Sequence, residues 1–334
     1  MSSGLRPCHR ILTLASVLGW ATGVAAESFQ LKLPVACEVG RTCFIQNYVD
    51  VEASSSATDY RCGTLTYDGH NGTDFRLPSM RMQRDGVGVL AAAAGRVMRV
   101  RDGVPDGSVR APDREAVRGA ECGNGAVIAH ADGWETQYCH LARGSLRVKP
   151  GQTVEAGQPL GLVGLSGLTE YPHLHFTVRH RGRIADPFAN GAPAGACTGG
   201  EVLWERAASE HLRYQERAIL NTGFAAGAVT MEAIEQEETE RISSADDTRA
   251  IVAFVRTIGL KTGDKQSLEL RAPSGLVIAK NQAHPLEQNK AQAMLFAGSK
   301  RPPSGWDRGN YKATYLVERA DQVVLQQQFE LDLN

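Results

Sequence analysis

The chain has 334 residues, of which 42% are hydrophobic, and its formal net charge is −1 at pH 7. This length and apolar content suit two domains with buried cores. The near-zero charge excludes the strongly basic surface typical of nucleic-acid-binding proteins, so no nucleic acid is expected among its partners. The many glycines favour a mainly β fold of strands joined by turns.

The first residues have the layout of a secretory signal peptide. Arg6 and Arg10 precede an apolar run that ends in Val24-Ala25-Ala26, which predicts a signal peptide over residues 1–26. The alternative is an N-terminal membrane anchor, but the run is short for a span of about 20 apolar residues. No later segment predicts a membrane span. We therefore expect export to the periplasm, with the extracellular medium as the alternative.

Cysteine usage agrees with an oxidising compartment. Of seven cysteines, Cys8 lies in the predicted signal peptide, and the mature chain keeps an even number. An even count in an exported protein predicts disulfide bonds, although their connectivity cannot be deduced from sequence alone. No two of these cysteines form a CxxC pair, so a cysteine-based zinc site is not expected. The pairing that we favour is Cys37–Cys43, Cys122–Cys139 and Cys62–Cys197.

The chain after the signal peptide divides by composition. Residues 27–59 predict short extended pieces that form an N-terminal arm. Residues 60–190 predict a compact antiparallel β-sheet or barrel-like core, because brief β-branched runs alternate with turn residues. A Gly-, Ala- and Pro-rich stretch predicts a linker over residues 191–205. Residues 206–334 predict a small additional β-sandwich.

Two predicted hairpins support this division. Residues 126–130 turn at an Asp-Gly pair into residues 136–140. Near the end of the chain, apolar and acidic residues alternate over 328–333, as a half-buried strand requires. Its predicted partner is 311–319, joined through Ala320-Asp321.

Residues 104–121 form a polar segment rich in Pro, Gly and Arg, and predict a long loop. Long loops inside compact domains are often functional. The segment therefore predicts either one wall of a substrate groove or a tolerated surface insertion.

A His-Leu-His sequence at residues 173–175 is the most informative short motif. Side chains two apart in a strand point to the same face. His173, His175 and Thr177 therefore share one face, while the apolar residues between them share the other. Paired imidazoles in this arrangement serve metal chemistry better than packing. Tyr138 and His140 follow the same logic on another predicted strand.

Further ligands are found upstream. His70 and Asp74 lie four residues apart, and Gly72 allows the chain to bend between them. Neutral imidazoles and a carboxylate suit Zn²⁺, and catalytic zinc sites use three protein ligands and an open position. His70, Asp74 and one histidine of the His173/His175 pair complete such a set. The remaining histidines are placed to handle a proton and to stabilise an oxyanion.

These segments together resemble the lysostaphin-type, or LytM-like, zinc metallopeptidases. The resemblance covers residues 60–188, through His70-Asn71-Gly72-Thr73-Asp74, Tyr138-Cys139-His140-Leu141 and His173-Leu174-His175. It implies an antiparallel β core around a groove. It also implies that His70, Asp74 and His175 bind zinc and that His140 and His173 are the catalytic pair. His130 is interpreted as structural.

The resemblance implies a secreted zinc metalloendopeptidase in which zinc-activated water attacks peptide cross-links of bacterial peptidoglycan. The expected partners are peptidoglycan peptide stems or cross-links. A non-catalytic regulator that binds the wall or activates other hydrolases is the alternative, but all five site positions are present. The sequence leaves open the bond cleaved, any latency, the role of the C-terminal domain and the oligomeric state.

Overall fold

A computed structural model describes residues 1–2, 4, 28–109, 111–193 and 195–334. The predicted signal peptide therefore lies outside the described residues, apart from three positions at its start. Within these ranges, no helix is both long enough and apolar enough to cross a membrane.

The first part of the chain is built from short strands. They are β1 (Phe44–Asn47), β2 (Thr73–Arg76), β3 (Gly88–Leu90), β4 (Gly95–Arg101), β5 (Asn124–Ala129), β6 (Trp134–Leu141), β7 (Thr153–Val154), β8 (Pro159–Leu162), β9 (His173–His180) and β10 (Arg183–Ile184). The main sheet has the order β1-β2-β9-β6-β5-β4-β7, with β10 paired to β9, and β3 pairs with β8 separately. All of these pairings are antiparallel. The predicted antiparallel β core is confirmed.

Alternation along β9 places the two histidines of the motif. Leu174, Phe176 and Val178 are at most 1% exposed and belong to the first hydrophobic core. The residues between them therefore face the opposite side of the sheet, as predicted. The hairpin of β5 and β6 is also confirmed, and its turn contains Asp132 and Gly133 with positive φ.

The segment before β2 is part of this core. Leu31 and Val35 are buried, and the backbone of Leu31 bridges to that of Trp204. Strand β1 then adds to the edge of the main sheet beside β2. The segment predicted as an arm thus contributes core side chains and a strand.

The segment predicted as a linker ends in the same core. Leu203 and Trp204 are almost fully buried, and the Trp204 ring lies 5.5 Å from the Phe188 ring. Burial of these large apolar side chains fixes the end of this segment to the first part of the chain.

Short helices accompany the strands. They are α1 (Met80–Asp85), α2 (Arg206–Ser209) and α3 (Met231–Gln236), with 3₁₀ turns at Ala111–Val117 and Ala131–Gly133. Helix α1 begins at Ser79, whose hydroxyl accepts a hydrogen bond from the Met82 amide. Helix α3 is capped in the same way by Thr230. These side-chain oxygens satisfy amides that have no partner within the helix.

The last third of the chain forms a second group of strands. They are β11 (Ala218–Ala225), β12 (Ala250–Leu260), β13 (Lys265–Arg271), β14 (Val277–Gln282), β15 (Lys290–Lys300), β16 (Gly309–Arg319) and β17 (Gln322–Leu333). One sheet has the order β11-β12-β15 and the other has the order β14-β13-β16-β17. Side chains from both sheets share one core, among them Val255 and Leu295 from the first and Leu268 and Tyr315 from the second. The predicted C-terminal β-sandwich is thus observed.

The hairpin of β16 and β17 confirms the prediction made from alternation. Tyr311 pairs with Leu331, and the strands are joined through Ala320 and Asp321, both with positive φ. Two consecutive residues with positive φ form a tight turn whose twist matches the right-handed twist of the two strands.

Among the described residues, the cysteines form three disulfide bonds. They are Cys37–Cys43, Cys62–Cys197 and Cys122–Cys139. The favoured pairing is confirmed. The third bond joins the end of the long loop to the strand that carries His140.

Candidate metal centre

Three neighbouring strands bring the predicted ligands together. Asp74 on β2 lies directly opposite His175 on β9, and Asn47 on β1 lies opposite Asp74 from the other side. Residues directly opposite one another in a sheet project to the same face. His70 precedes β2 and reaches this face from the turn at Gly69, where φ is 74°. The sheet register therefore converts distant sequence positions into one cluster.

The donor atoms of His70, Asp74 and His175 are close to one another. His70 Nε2 lies 3.2 Å from Asp74 Oδ1 and 3.2 Å from His175 Nδ1, and His175 Nδ1 lies 2.9 Å from Asp74 Oδ1. Ligands of a tetrahedral zinc ion at about 2.0–2.1 Å lie about 3.3 Å apart. The spacing and the His-Asp-His chemistry both fit Zn²⁺ with an open fourth position.

Each donor is oriented by a second contact. His70 Nδ1 donates to the Tyr48 carbonyl at 2.6 Å, and His175 Nε2 donates to Asn71 Oδ1 at 3.0 Å. These bonds select the tautomers that leave His70 Nε2 and His175 Nδ1 as free lone pairs. The Asn47 amide donates to Asp74 Oδ2 at 2.9 Å and leaves Oδ1 for the cluster.

Gly72 is required by the close approach of the chain to His175. A Cβ at this position would lie 2.7 Å from His175 Nε2 and 2.7 Å from the Phe176 carbonyl oxygen. Both distances are below van der Waals contact, and the carbonyl belongs to the backbone. Only glycine lets the His70–Asp74 turn pack this tightly against β9.

His140 and His173 lie on the same side of the cluster. Their ring centroids are 4.6 Å apart, and His173 Nε2 is 3.5 Å from Asp74 Oδ1. His140 Nδ1 donates to the Ser166 carbonyl at 2.8 Å, and His173 Nδ1 donates to the Tyr171 carbonyl at 2.9 Å. Each ring therefore keeps Nε2 as an available acceptor.

The backbone at His140 is itself unusual. Its φ is 64°, a conformation that is costly for a residue with a Cβ. Two hydrogen bonds hold it there: the His140 amide donates to the Cys122 carbonyl, and the His140 carbonyl accepts from the Gly164 amide. The Cys122–Cys139 disulfide braces the same position.

Burial and neighbouring charges set the protonation of these groups. Burial lowers the pKa of His140 well below its usual value, and it also lowers the pKa of His173. Both imidazoles are therefore neutral at neutral pH. Burial opposes ionisation of Asp74, but the adjacent imidazoles, His70 first among them, outweigh it and hold its pKa well below the usual range. For His70, the Asp74 carboxylate outweighs burial and raises the pKa.

A cavity opens in front of these side chains. Asp74, His140 and His173 line it together with Tyr67 and Tyr171. Val109 and Arg114 of the long loop line the same cavity. Of the two interpretations of residues 104–121, the groove wall is thus the one that the structure favours.

The long loop is attached along the rim of the cavity. The amides of Gly107 and Val109 donate to the carbonyls of Leu165 and Thr169, at 2.9 and 2.8 Å. Asp106 accepts from the amides of Leu165 and Arg143. These contacts fix the start of the loop to the segment that leads into β9 and to the residues that follow β6.

The structure brings together all five histidine and aspartate side chains that the sequence singled out. His130 lies apart from them, because its ring nitrogens contact the Ala94 carbonyl and the Thr136 hydroxyl. Thr177, placed by alternation on the face of His175, has its hydroxyl 3.1 Å from His175 Nε2. Sequence reasoning missed Asn47 and Tyr171, because neither lies in a motif and both act through tertiary contacts.

A family model and several known proteins are similar to part of this chain. The model of Peptidase family M23 matches residues 68–187. The peptidoglycan DD-endopeptidase ShyB of Vibrio cholerae is 35% identical over 117 residues, which are 35% of this chain and 22% of that protein. The cell division protein DipM of Caulobacter vibrioides is 44% identical over 64 residues, which are 19% of this chain and 10% of that protein. The chain thus spans less than a quarter of the length of either relative.

A solved structure, that of a zinc-containing peptidase from Vibrio cholerae, is 30% identical. The match covers 45% of this chain and 41% of that chain, with a TM-score of 0.29. The family match includes all five residues of the candidate site. The family resemblance is confirmed, and residues 68–187 of this chain form a Peptidase family M23 domain.

Proposed function

We propose that this protein is a zinc metalloendopeptidase that hydrolyses peptide cross-links of bacterial peptidoglycan. One observation carries the proposal: donor atoms of His70, Asp74 and His175 converge at tetrahedral spacing beside two neutral imidazoles that face the same cavity. In this proposal His70, Asp74 and His175 hold Zn²⁺. His140 and His173 are the catalytic pair.

A bound Zn²⁺ would supply a Lewis acid for the scissile carbonyl and lower the pKa of water. The protein supplies the proton transfers. Because Nδ1–H of His140 and of His173 is held by a backbone carbonyl, Nε2 is the proton acceptor in each ring. A neutral Nε2 accepts a proton from the attacking water. Once protonated, the same atom donates a hydrogen bond to the oxyanion or a proton to the leaving amine.

Peptidoglycan is proposed as the substrate because ShyB and the related ShyA of Vibrio cholerae are named peptidoglycan DD-endopeptidases. Export to the periplasm is part of the proposal. Its support is the N-terminal charge and apolar pattern together with the disulfide bonds among the described residues. Disulfides form in oxidising compartments.

The first test is incubation of the mature protein with purified peptidoglycan sacculi, followed by mass spectrometry of the released fragments. We expect peptide-bond cleavage that disappears with a chelator and with His173→Ala. His211→Ala is the matched control, because His211 is exposed and lies outside the cluster. Absence of release from folded, zinc-loaded protein would reject the enzyme and favour a regulator that binds the wall.

The ligand assignment needs a separate measurement. We expect His175→Ala to lose stoichiometric zinc and all turnover, whereas His173→Ala keeps zinc and loses turnover. Zinc content after dialysis, measured by atomic absorption, separates the two roles. Full zinc content in His175→Ala would remove that residue from the ligand set.

A further inference from the structure

Two buried arginines meet one glutamate where the M23 domain contacts the C-terminal sandwich. Arg76 on β2 is 1% exposed and Arg256 on β12 is 0% exposed. Arg76 Nη2 lies 3.2 Å from Glu235 Oε1, and Arg256 Nη1 lies 3.1 Å from Glu235 Oε2. Glu235 belongs to α3, which packs through Ile234 against the outer face of the sandwich. Buried charges are expensive unless they are paired, so this cluster depends on the glutamate.

Neutral side chains from both parts of the molecule complete the cluster. Arg76 donates to Gln46 Oε1 at 2.8 Å and to Gln292 Oε1 at 2.9 Å. Gln46 belongs to β1, and Gln292 belongs to β15 of the sandwich. Arg256 in turn donates to Asn221 Oδ1 at 2.8 Å and to the Pro78 carbonyl. Each arginine is thus held by residues from both sides of the contact.

Arg76 also contacts the wall of the candidate site. In the β2–β9 register it lies directly opposite His173. Its guanidinium carbon is 4.0 Å from the centroid of the Tyr171 ring. A guanidinium at this distance over an aromatic face is attracted to it, more strongly when both groups are buried. The position of the Tyr171 ring therefore depends on where Arg76 is held.

Tyr171 has contacts with two members of the site. Its carbonyl accepts the Nδ1–H of His173 at 2.9 Å. Its hydroxyl lies 3.3 Å from the Asn47 amide nitrogen, which also donates to Asp74 Oδ2. A shift of Tyr171 would therefore move the partner of one catalytic imidazole and the group that orients the metal-binding carboxylate.

We propose that the C-terminal sandwich positions the active site: Glu235 and Gln292 hold Arg76 against Tyr171, and Tyr171 fixes the orientation of His173. The sandwich thereby contributes to turnover, although none of its residues is assigned to the metal cluster. Glu235 and Gln292 are positioning residues, because neither lines the cavity at the metal cluster. The activity readout rests on the proposed endopeptidase function, but the structural readout below does not.

The central variant is Glu235→Gln in the full mature chain, which keeps the shape and removes the charge. Without the carboxylate, the two buried guanidinium ions lose the negative charge that they share. We expect faster amide hydrogen exchange in residues 169–176 of the metal-free protein. The matched control is Glu330→Gln, since Glu330 belongs to the same sandwich, is exposed, and contacts Lys312 and the Gln328 side chain rather than the buried arginines. Wild-type exchange in this segment of Glu235→Gln would overturn the proposal.

Turnover gives the second readout. On zinc-loaded protein and a soluble cross-linked peptide, we expect Glu235→Gln to lower kcat by about 10-fold or more, because small misplacement of catalytic groups is costly. KM should change less than kcat, and zinc content should not change. In a Tyr171→Leu background, Glu235→Gln should lower kcat by less than about 2-fold, as expected when one residue acts through the other. Equal effects in both backgrounds would overturn the proposed route through Tyr171.

The remaining outcomes are also decisive. If Glu235→Gln does not fold, Gln292→Ala tests the same route with loss of one neutral hydrogen bond, and unchanged exchange and kcat in that variant would overturn the proposal. If the wild type cleaves no peptide, the proposed function fails, whereas faster exchange in Glu235→Gln would still support the positioning network.

Discussion

The carboxyl group of Asp186 is expected to make the protein less stable as the pH rises through neutrality. Asp186 is 7% exposed, and its Oδ1 accepts one hydrogen bond from the Phe188 amide. Within the described residues its Oδ2 has no hydrogen-bond partner. Burial, assisted by the charge of Asp59 and opposed by the Phe188 amide, raises the pKa of Asp186 to about 7. The buried site therefore favours the protonated acid.

The direction of this change in stability follows from the number of protons that the folded and unfolded states bind. In the unfolded chain the pKa of this group is 3.8, so between that value and about 7 the folded state holds more protons than the unfolded state. The free energy of unfolding is highest below the unfolded pKa and falls as the pH rises to the folded pKa. At about 1.4 kcal/mol per pKa unit, the whole loss is about 4 kcal/mol. About 2.5 kcal/mol of it falls between pH 5 and pH 8.

The assay compares wild type and Asp186→Asn in urea unfolding at the two pH values, at constant ionic strength. The fluorescence of Trp204, which lies in the first hydrophobic core with Phe188, reports unfolding. The asparagine cannot ionise, so the stability of the variant relative to wild type should rise by about 2.5 kcal/mol from pH 5 to pH 8. Asp85→Asn is the control, because the Asp85 side chain is exposed. If the free energies of unfolding of Asp186→Asn and wild type differ by the same amount at pH 5 and pH 8, a raised pKa of Asp186 is refuted.

Three further predictions concern single local features. Gly72→Ala should weaken zinc binding by at least about 10-fold, because the added Cβ would displace His175. Competition with a chromogenic chelator measures the affinity, and an unchanged affinity would contradict the close approach of the chain to His175. Replacing both Cys122 and Cys139 by serine should lower the free energy of unfolding by about 3 kcal/mol, as expected for a disulfide that joins residues 17 positions apart. An unchanged urea midpoint would show that this disulfide does not stabilise the fold. Asp321→Gly should raise Tm slightly, with a gain of about 0.5 kcal/mol, since φ is positive there, and a lower Tm would argue against this turn.

The candidate site could be predicted from the sequence because strand alternation and motif spacing are properties of short segments. Alternation with a period of two places His173 and His175 on one face, and the apolar residues between them require the other face to be buried. The same rule locates the β16–β17 hairpin. One disulfide pair was favoured for a similar reason, since Cys37 and Cys43 flank one short turn.

Other contacts in the fold could not be predicted from local patterns. Leu203 and Trp204 follow a Gly-rich stretch that is typical of a linker, yet they are buried in the first core. Composition reports the flexibility of a segment, but burial depends on whether a complementary surface lies nearby. Likewise, no pattern in residues 28–59 identifies Asn47 as the partner of Asp74, because the β1–β2 register arises only when the sheet assembles.

The family, the β character of both parts of the chain and the residue types that suit a zinc site could all be predicted from the sequence. Each of these depends on short-range spacing that one segment carries within itself. Which ring nitrogens remain free, and how Tyr171 lies against His173, depend on contacts that form only in the folded protein. The same holds for the contact of Arg76 with Gln292, 216 positions away in the chain. Such contacts are set by the packing of two cores against each other, and the burial of charge at their junction makes them specific.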